Sequence, residues 1–94
     1  MKIEGIIWID EIIYKLLRKH NVRQNEVKEI LNQRPQFRFV EKGHRKGENV
    51  YAAMGQTHAG RYLMVFFVYK KNKQALILSA RDMTRAERTK YGKK

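Results

Sequence analysis

Arg81, Arg85 and Arg88 fall in one short stretch near the end of the sequence and are the first candidates for chemistry. Guanidinium groups stay charged at any physiological pH and match phosphate oxygens two at a time, so the cluster reads as a seat for a phosphate backbone. The alternative is a solvated basic helix face with Arg81 paired to Asp82 or Glu87. Those two are the only acids from residue 49 onward, so pairing within the segment cannot absorb all the cations.

Three histidines add proton chemistry. His20 follows the apolar stripe Ile12, Ile13, Leu16, Leu17, so spacing alone makes it a half-buried histidine at a helix end. An imidazole there could also act as a general acid or base, because it titrates near neutrality. His44, Arg45 and Lys46 sit in a glycine-bracketed basic loop that can reach over a sheet face to a polyanion, or simply be a solvated tip. His58 falls in a tight turn and reads as idle. Tyr51, Tyr62, Tyr69 and Tyr91, with Phe66 and Phe67, could stack on unpaired bases. Aromatics on apolar strands are mostly core, which leaves Tyr91, on the basic helix, as the aromatic functional candidate.

Other chemistries are missing. No glycine-rich loop follows a strand and opens a helix, and no GxSxG elbow occurs. The histidines lack metal-site spacing, so no metal and no cofactor is expected. With no cysteine there is no disulfide, thiolate site or thiol nucleophile. An enzyme acting on RNA with this set would let the substrate's 2′-hydroxyl attack its own phosphate. Arginines would steady the charge while His, Tyr or Lys moved protons.

The elements that must position these groups are legible from pattern. Ile3 to Trp8 suits a short strand or docked arm. A first helix starts at Asp10, with Asp10 and Glu11 in its first turn and Arg18 and Lys19 in its last, each complementing the dipole. Asn21 can stop it in the left-handed conformation. A second helix runs from about Gln24 to Asn32 and ends before Pro35. Strands follow around Phe37–Phe39, Val50–Met54, Arg61–Tyr69 and Gln74–Arg81, joined by short connections as in an antiparallel meander. Thr84-Arg85-Ala86-Glu87 is a capping box that opens a final helix, closed by Gly92 and followed by Lys93-Lys94. The fold class is therefore α+β: two N-terminal helices packed on a four-stranded antiparallel sheet, with a short C-terminal helix.

Length and charge fit one domain with a nucleic-acid partner. The 94 residues suit a single domain spanning 1–94. The formal net charge of +12 draws polyanions, and most of it lies from residue 49 onward. Ile6-Ile7-Trp8-Ile9 is too short for a signal peptide, and the longest uncharged run falls far below the ~20 residues of a membrane helix. A cytoplasmic protein without a membrane partner is expected.

Several of these residues also match a family pattern. Trp8, Lys19-His20, Val22 and Glu26-Val27 match its opening, and Gly55, Gly60-Arg61 and the apolar strand its middle. Ser79-Ala80-Arg81-Asp82-Met83-Thr84-Arg85, then Glu87-Arg88 and Tyr91, match its ending. In these the chain resembles the BrnT toxins, small ribonucleases of type II toxin–antitoxin systems. The resemblance implies a RelE-like fold and metal-independent RNA cleavage that stops translation. It also implies neutralisation by a BrnA-like antitoxin whose DNA-binding part represses the operon. It adds functional weight to His20 and Arg61, giving His20, Arg61, Arg81 and Tyr91 as the catalytic set. Lys19, His44, Arg45, Lys46, Arg85 and Arg88 are then the RNA contacts. Two departures stand out: Asn21 replaces the glycine after Lys-His, and Arg23 stands where a Ser or Thr cap is common. Two other readings share this surface, a non-catalytic nucleic-acid-binding module and a protein-interaction domain whose cations meet an acidic antitoxin segment.

Overall fold

The computed structural model describes residues 1–92, so the Lys93-Lys94 end lies outside the described residues. Eight elements follow in order: β1 Gly5–Ile7, α1 Asp10–His20, α2 Gln24–Asn32, β2 Gln36–Glu41, β3 Val50–Gln56, β4 Tyr62–Tyr69, β5 Gln74–Asp82 and α3 Arg85–Gly92. The sheet has five strands in the order β1-β5-β4-β3-β2. Strands β2 to β5 form the expected antiparallel meander, but β1 adds a parallel edge strand, pairing Ile6 with Ala75. The four-stranded antiparallel expectation is corrected to a five-stranded mixed sheet. Three residues of β1 carry no pattern that reveals a partner so distant in sequence.

Both N-terminal helices cover one sheet face, α1 over β5 and α2 over β3 and β4. Leu16, Val22, Val27, Ile30 and Leu31 meet Ala53, Leu63, Val65, Phe67 and Ile77 there in the main core. Asn21 ends α1 at φ 53°, and the N–H of Val22 returns to the Leu16 carbonyl at 3.1 Å. Arg23 opens α2 without a hydroxyl cap; instead its own N–H donates to Glu26 Oε1 at 2.9 Å. The opposite face holds a smaller cluster, Ala52, Met54, Met64 and Met83, with Tyr62, Phe66 and Tyr91 against it.

One bulge decides what each face carries. In β5, Ser79 pairs with Phe66 and Ile77 with Phe67, so Leu78 is an extra residue without a counterpart. Before it, Ala75 and Ile77 face the helices; after it, Ala80 and Asp82 do. The shift puts Asp82 on the helix side and Arg81 on the open side.

The basic loop from Lys42 to Gly47 depends on a close backbone approach. A Cβ at Gly43 would lie 1.7 Å from the carbonyl oxygen of Glu48. Gly43→Ala is expected to force the loop open and lower stability by about 1–3 kcal/mol, measured as a reduced urea midpoint with unchanged slope. Among the described residues, no helix is long and apolar enough to cross a membrane.

Candidate nucleic-acid interface

Of the candidate residues, Arg61 and Arg81 are held in ion pairs. Arg61 turns inward. Its Nε donates to Asp82 Oδ1 at 2.7 Å, and one terminal nitrogen donates to the Asn21 carbonyl at 2.6 Å and to Glu26 at 3.2 Å. The other donates to the His20 carbonyl at 2.8 Å and Asp82 Oδ2 at 3.2 Å. One side chain thus caps the end of α1, pairs with the first turn of α2 and joins β4 to β5. All five donors of the fork are engaged, which leaves none for a phosphate. The charge pairs hold the Arg61 pKa above its ordinary value, the bond to Asp82 contributing most.

Arg81 is also committed. Its two terminal nitrogens grip the Glu87 carboxylate at 2.8 and 3.0 Å, and its guanidinium lies 5.4 Å from the Phe66 ring centre. Glu87 closes the capping box as well, accepting from the Thr84 N–H at 2.8 Å while the Thr84 hydroxyl accepts from the Glu87 N–H at 3.2 Å. The expectation that Arg81 would stand free beside Arg85 and Arg88 is corrected. A fork-to-fork bond six residues along the chain outweighed the count of acids, because the capping box holds Glu87 back toward the strand end.

That carboxyl is pulled down to about 2, first by the bond from Arg81 and then by the bonds from Thr84. Its folded value lies below its ordinary 4.5, so the stabilisation is complete above that value and disappears as the pH falls toward 2. The melting temperature of the wild type is therefore expected to drop more steeply than that of Glu87→Gln between pH 4.5 and pH 2.

Arg85 and Arg88 form no ion pair among the described residues and are exposed. Arg88 lies over the Tyr62 ring, 4.2 Å from its centre, and Tyr91 meets the same ring edge-on at 6.1 Å. With Gln56, Met83 and Arg85 they line a cavity of about 520 Å3 whose walls carry no acidic side chain. Its remaining lining, Thr89 and Gly92, is neutral. Two cations, two phenol rings and an amide make a recess suited to an anion attached to a flat ring.

The other predicted residues lie apart from this recess. His20 is half-buried at the end of α1; its charged form helps lower the Asp82 pKa, though the Arg61 bond dominates that shift. Asp82 is followed directly by Met83 of the recess wall, so His20 belongs to the same end of the sheet. Lys19 beside it is exposed. His44, Arg45 and Lys46 are exposed at the far end of β3, one strand length of about 20 Å away. His44 and Arg45 line a separate cavity of about 430 Å3 with Val50, Val68 and Leu78 on the open sheet face. Reasoning from sequence gave Tyr62 only as one of several stacking candidates and missed Gln56. The alternation of β4, which puts Tyr62 on the face opposite Leu63, was the available signal. Among the described residues no three of His, Asp and Glu gather as a metal site would need.

A family model described as the ribonuclease toxin BrnT of type II toxin–antitoxin systems matches residues 10–87. The chain belongs to the BrnT family. Membership carries a toxin role, with RNA as substrate and an antitoxin as partner. The matched BrnT region contains Arg61, Arg81, Asp82, Arg85 and Glu87, and it stops short of Arg88 and Tyr91. Comparison with curated proteins finds no match.

Proposed function

We propose that this BrnT-family toxin is a metal-independent endoribonuclease that stops translation by cutting RNA. The observation that carries the reading is a recess lined by Arg85 and Arg88 beside Tyr62 and Tyr91, in which, among the described residues, neither cation meets a carboxylate. Arg85 and Arg88 hold the scissile phosphate and steady the extra negative charge as the 2′-oxygen attacks phosphorus. The bond from phosphorus to the 5′-oxygen breaks, leaving a 2′,3′-cyclic phosphate. Tyr91, in the recess wall, or His20, at the same end of the sheet, takes the proton of the 2′-hydroxyl, and water protonates the departing 5′-oxygen. Arg61 and Arg81 act as positioning residues, the first fixing the end of α1 that bears His20, the second fixing α3. Lys19 and the loop of His44, Arg45 and Lys46 contact flanking phosphates at the two ends of the sheet.

Purified protein should cut a single-stranded RNA in excess chelator and leave cyclic phosphate ends. A substrate with 2′-deoxyribose at the cut position should stay whole. RNA bound steeply with salt yet left intact would instead support a non-catalytic binding module. In cells, induction should arrest growth, and the cognate antitoxin, proposed to be BrnA-like and encoded beside it, should relieve the arrest.

A further inference from the structure

The face opposite the recess carries an apolar strip that the nuclease reading does not use. On α1, Tyr14 is 71% exposed and Leu17 46%, and Ile9, just before the helix, is 44% exposed. Ile9, Ile13 and Leu17 follow each other at four-residue intervals, so they line one side of the helix, with Tyr14 beside them. Ile13 and Leu17 also wall a groove of about 260 Å3 between α1 and the start of α2, closed by Val22, Arg23, Gln24 and Asn25. An amphipathic helix that only covers its own sheet would turn polar residues outward here.

The charge around the groove selects its occupant. Arg23 is the only charged residue in the groove wall, and Arg18 lies one turn beyond Tyr14 on the exposed side of α1. Neither pairs with a carboxylate among the described residues. Most of the net +12 lies from residue 49 onward, outside α1 and α2, so overall charge does not decide against a second copy at this groove, and sedimentation tests that occupant. A helix with apolar residues at three- and four-residue spacing and carboxylates along its flank meets both requirements.

We infer that the α1–α2 groove, with Tyr14 and Leu17 as its apolar anchors and Arg18 and Arg23 as its charged rim, is the docking surface for an acidic amphipathic helix of the antitoxin. The inference rests on the toxin–antitoxin reading for the partner's identity, but not on the nuclease chemistry. The groove lies on the helix-covered side of the sheet and the arginine recess on the other, so the partner can grip the toxin without entering the recess.

The test uses the whole chain with the protein encoded by the adjacent reading frame. Leu17→Glu and the double variant Arg18→Glu/Arg23→Glu are made, their folding checked by circular dichroism, and binding measured by calorimetry. Each is expected to weaken binding by at least 10-fold, while growth arrest on induction persists and is no longer relieved by the partner. Tyr14→Ala, a milder change, is expected to weaken binding about 5-fold or more. Folded variants that bind as tightly as the wild type would overturn the proposal. So would a wild-type dimer in sedimentation that Leu17→Glu converts to monomer, since a second copy would then occupy the groove. If the wild type binds its partner but never arrests growth, the nuclease reading fails and the groove is still judged by the binding data.

Discussion

Replacing Arg61 with alanine is expected to lower stability by about 2–4 kcal/mol and to unfold much of the protein at 37 °C. The loss has several parts. Glu26, with only 18% of its side chain exposed, would keep its charge and lose its cation. The carbonyls of His20 and Asn21, the last acceptors of α1, would lose their donors at 2.8 and 2.6 Å. Asp82 adds little to the sum, because its side chain is 63% exposed and water screens it. A domain this small has roughly 5–15 kcal/mol in total, so the change is large. Arg61→Lys keeps the charge but cannot fill five directions at once, and is expected to recover less than half of the loss. Urea unfolding of both variants reads the effect directly. An Arg61→Ala protein with wild-type stability and no activity would show that this side chain serves the reaction and not the fold.

The double substitution Arg85→Ala/Arg88→Ala is expected to do the reverse. Both side chains are exposed, and the fold loses only the contact of Arg88 with Tyr62, about 0.5–1 kcal/mol. RNA affinity should fall by about 100-fold or more, since each charge-assisted phosphate contact contributes about 1.5–3 kcal/mol when formed. The slope of log affinity against log salt should shrink by about 1.4, two phosphate contacts on a single strand. Growth arrest should disappear with melting temperature nearly unchanged. Persistent arrest by the folded double variant would move the anion seat elsewhere, most directly to the loop of His44, Arg45 and Lys46.

Much of the architecture was legible because it is local. The stripe of Ile12 and Leu16, the turn at Thr57 to Gly60 and the capping box at Thr84 each depend on residues a few positions apart, and each stands where the pattern put it. The parallel edge strand was not legible, since Gly5–Ile7 meets residues 74–76 only after the whole chain has folded. The candidate site was half legible. Arg85, Arg88 and Tyr91 come together through one helix, so spacing sufficed. Arg81 was weighed as an anion seat against pairing with Asp82 or Glu87, and the count of acids favoured the seat, while Arg61 entered only through the family pattern. Glu26 reaches Arg61 across 35 positions, and Glu87 is aimed at Arg81 by the geometry of a helix start. The sheet length that separates His44 from Arg85 was likewise hidden, so the predicted residues looked like one surface and form two ends of it.

Leu78 has a consequence for how this sequence can change. Because one unmatched residue sets the phase of everything after it in β5, deleting Leu78 alone would rotate the strand's last residues by half a turn. Arg81 would then point toward the paired helices and Asp82 toward open solvent, parting Arg61 from its carboxylate and Glu87 from its guanidinium in a single step. Substitutions at 78 should be easily borne and length changes there should not, a contrast that a saturation-and-deletion scan of residues 76–80 would expose.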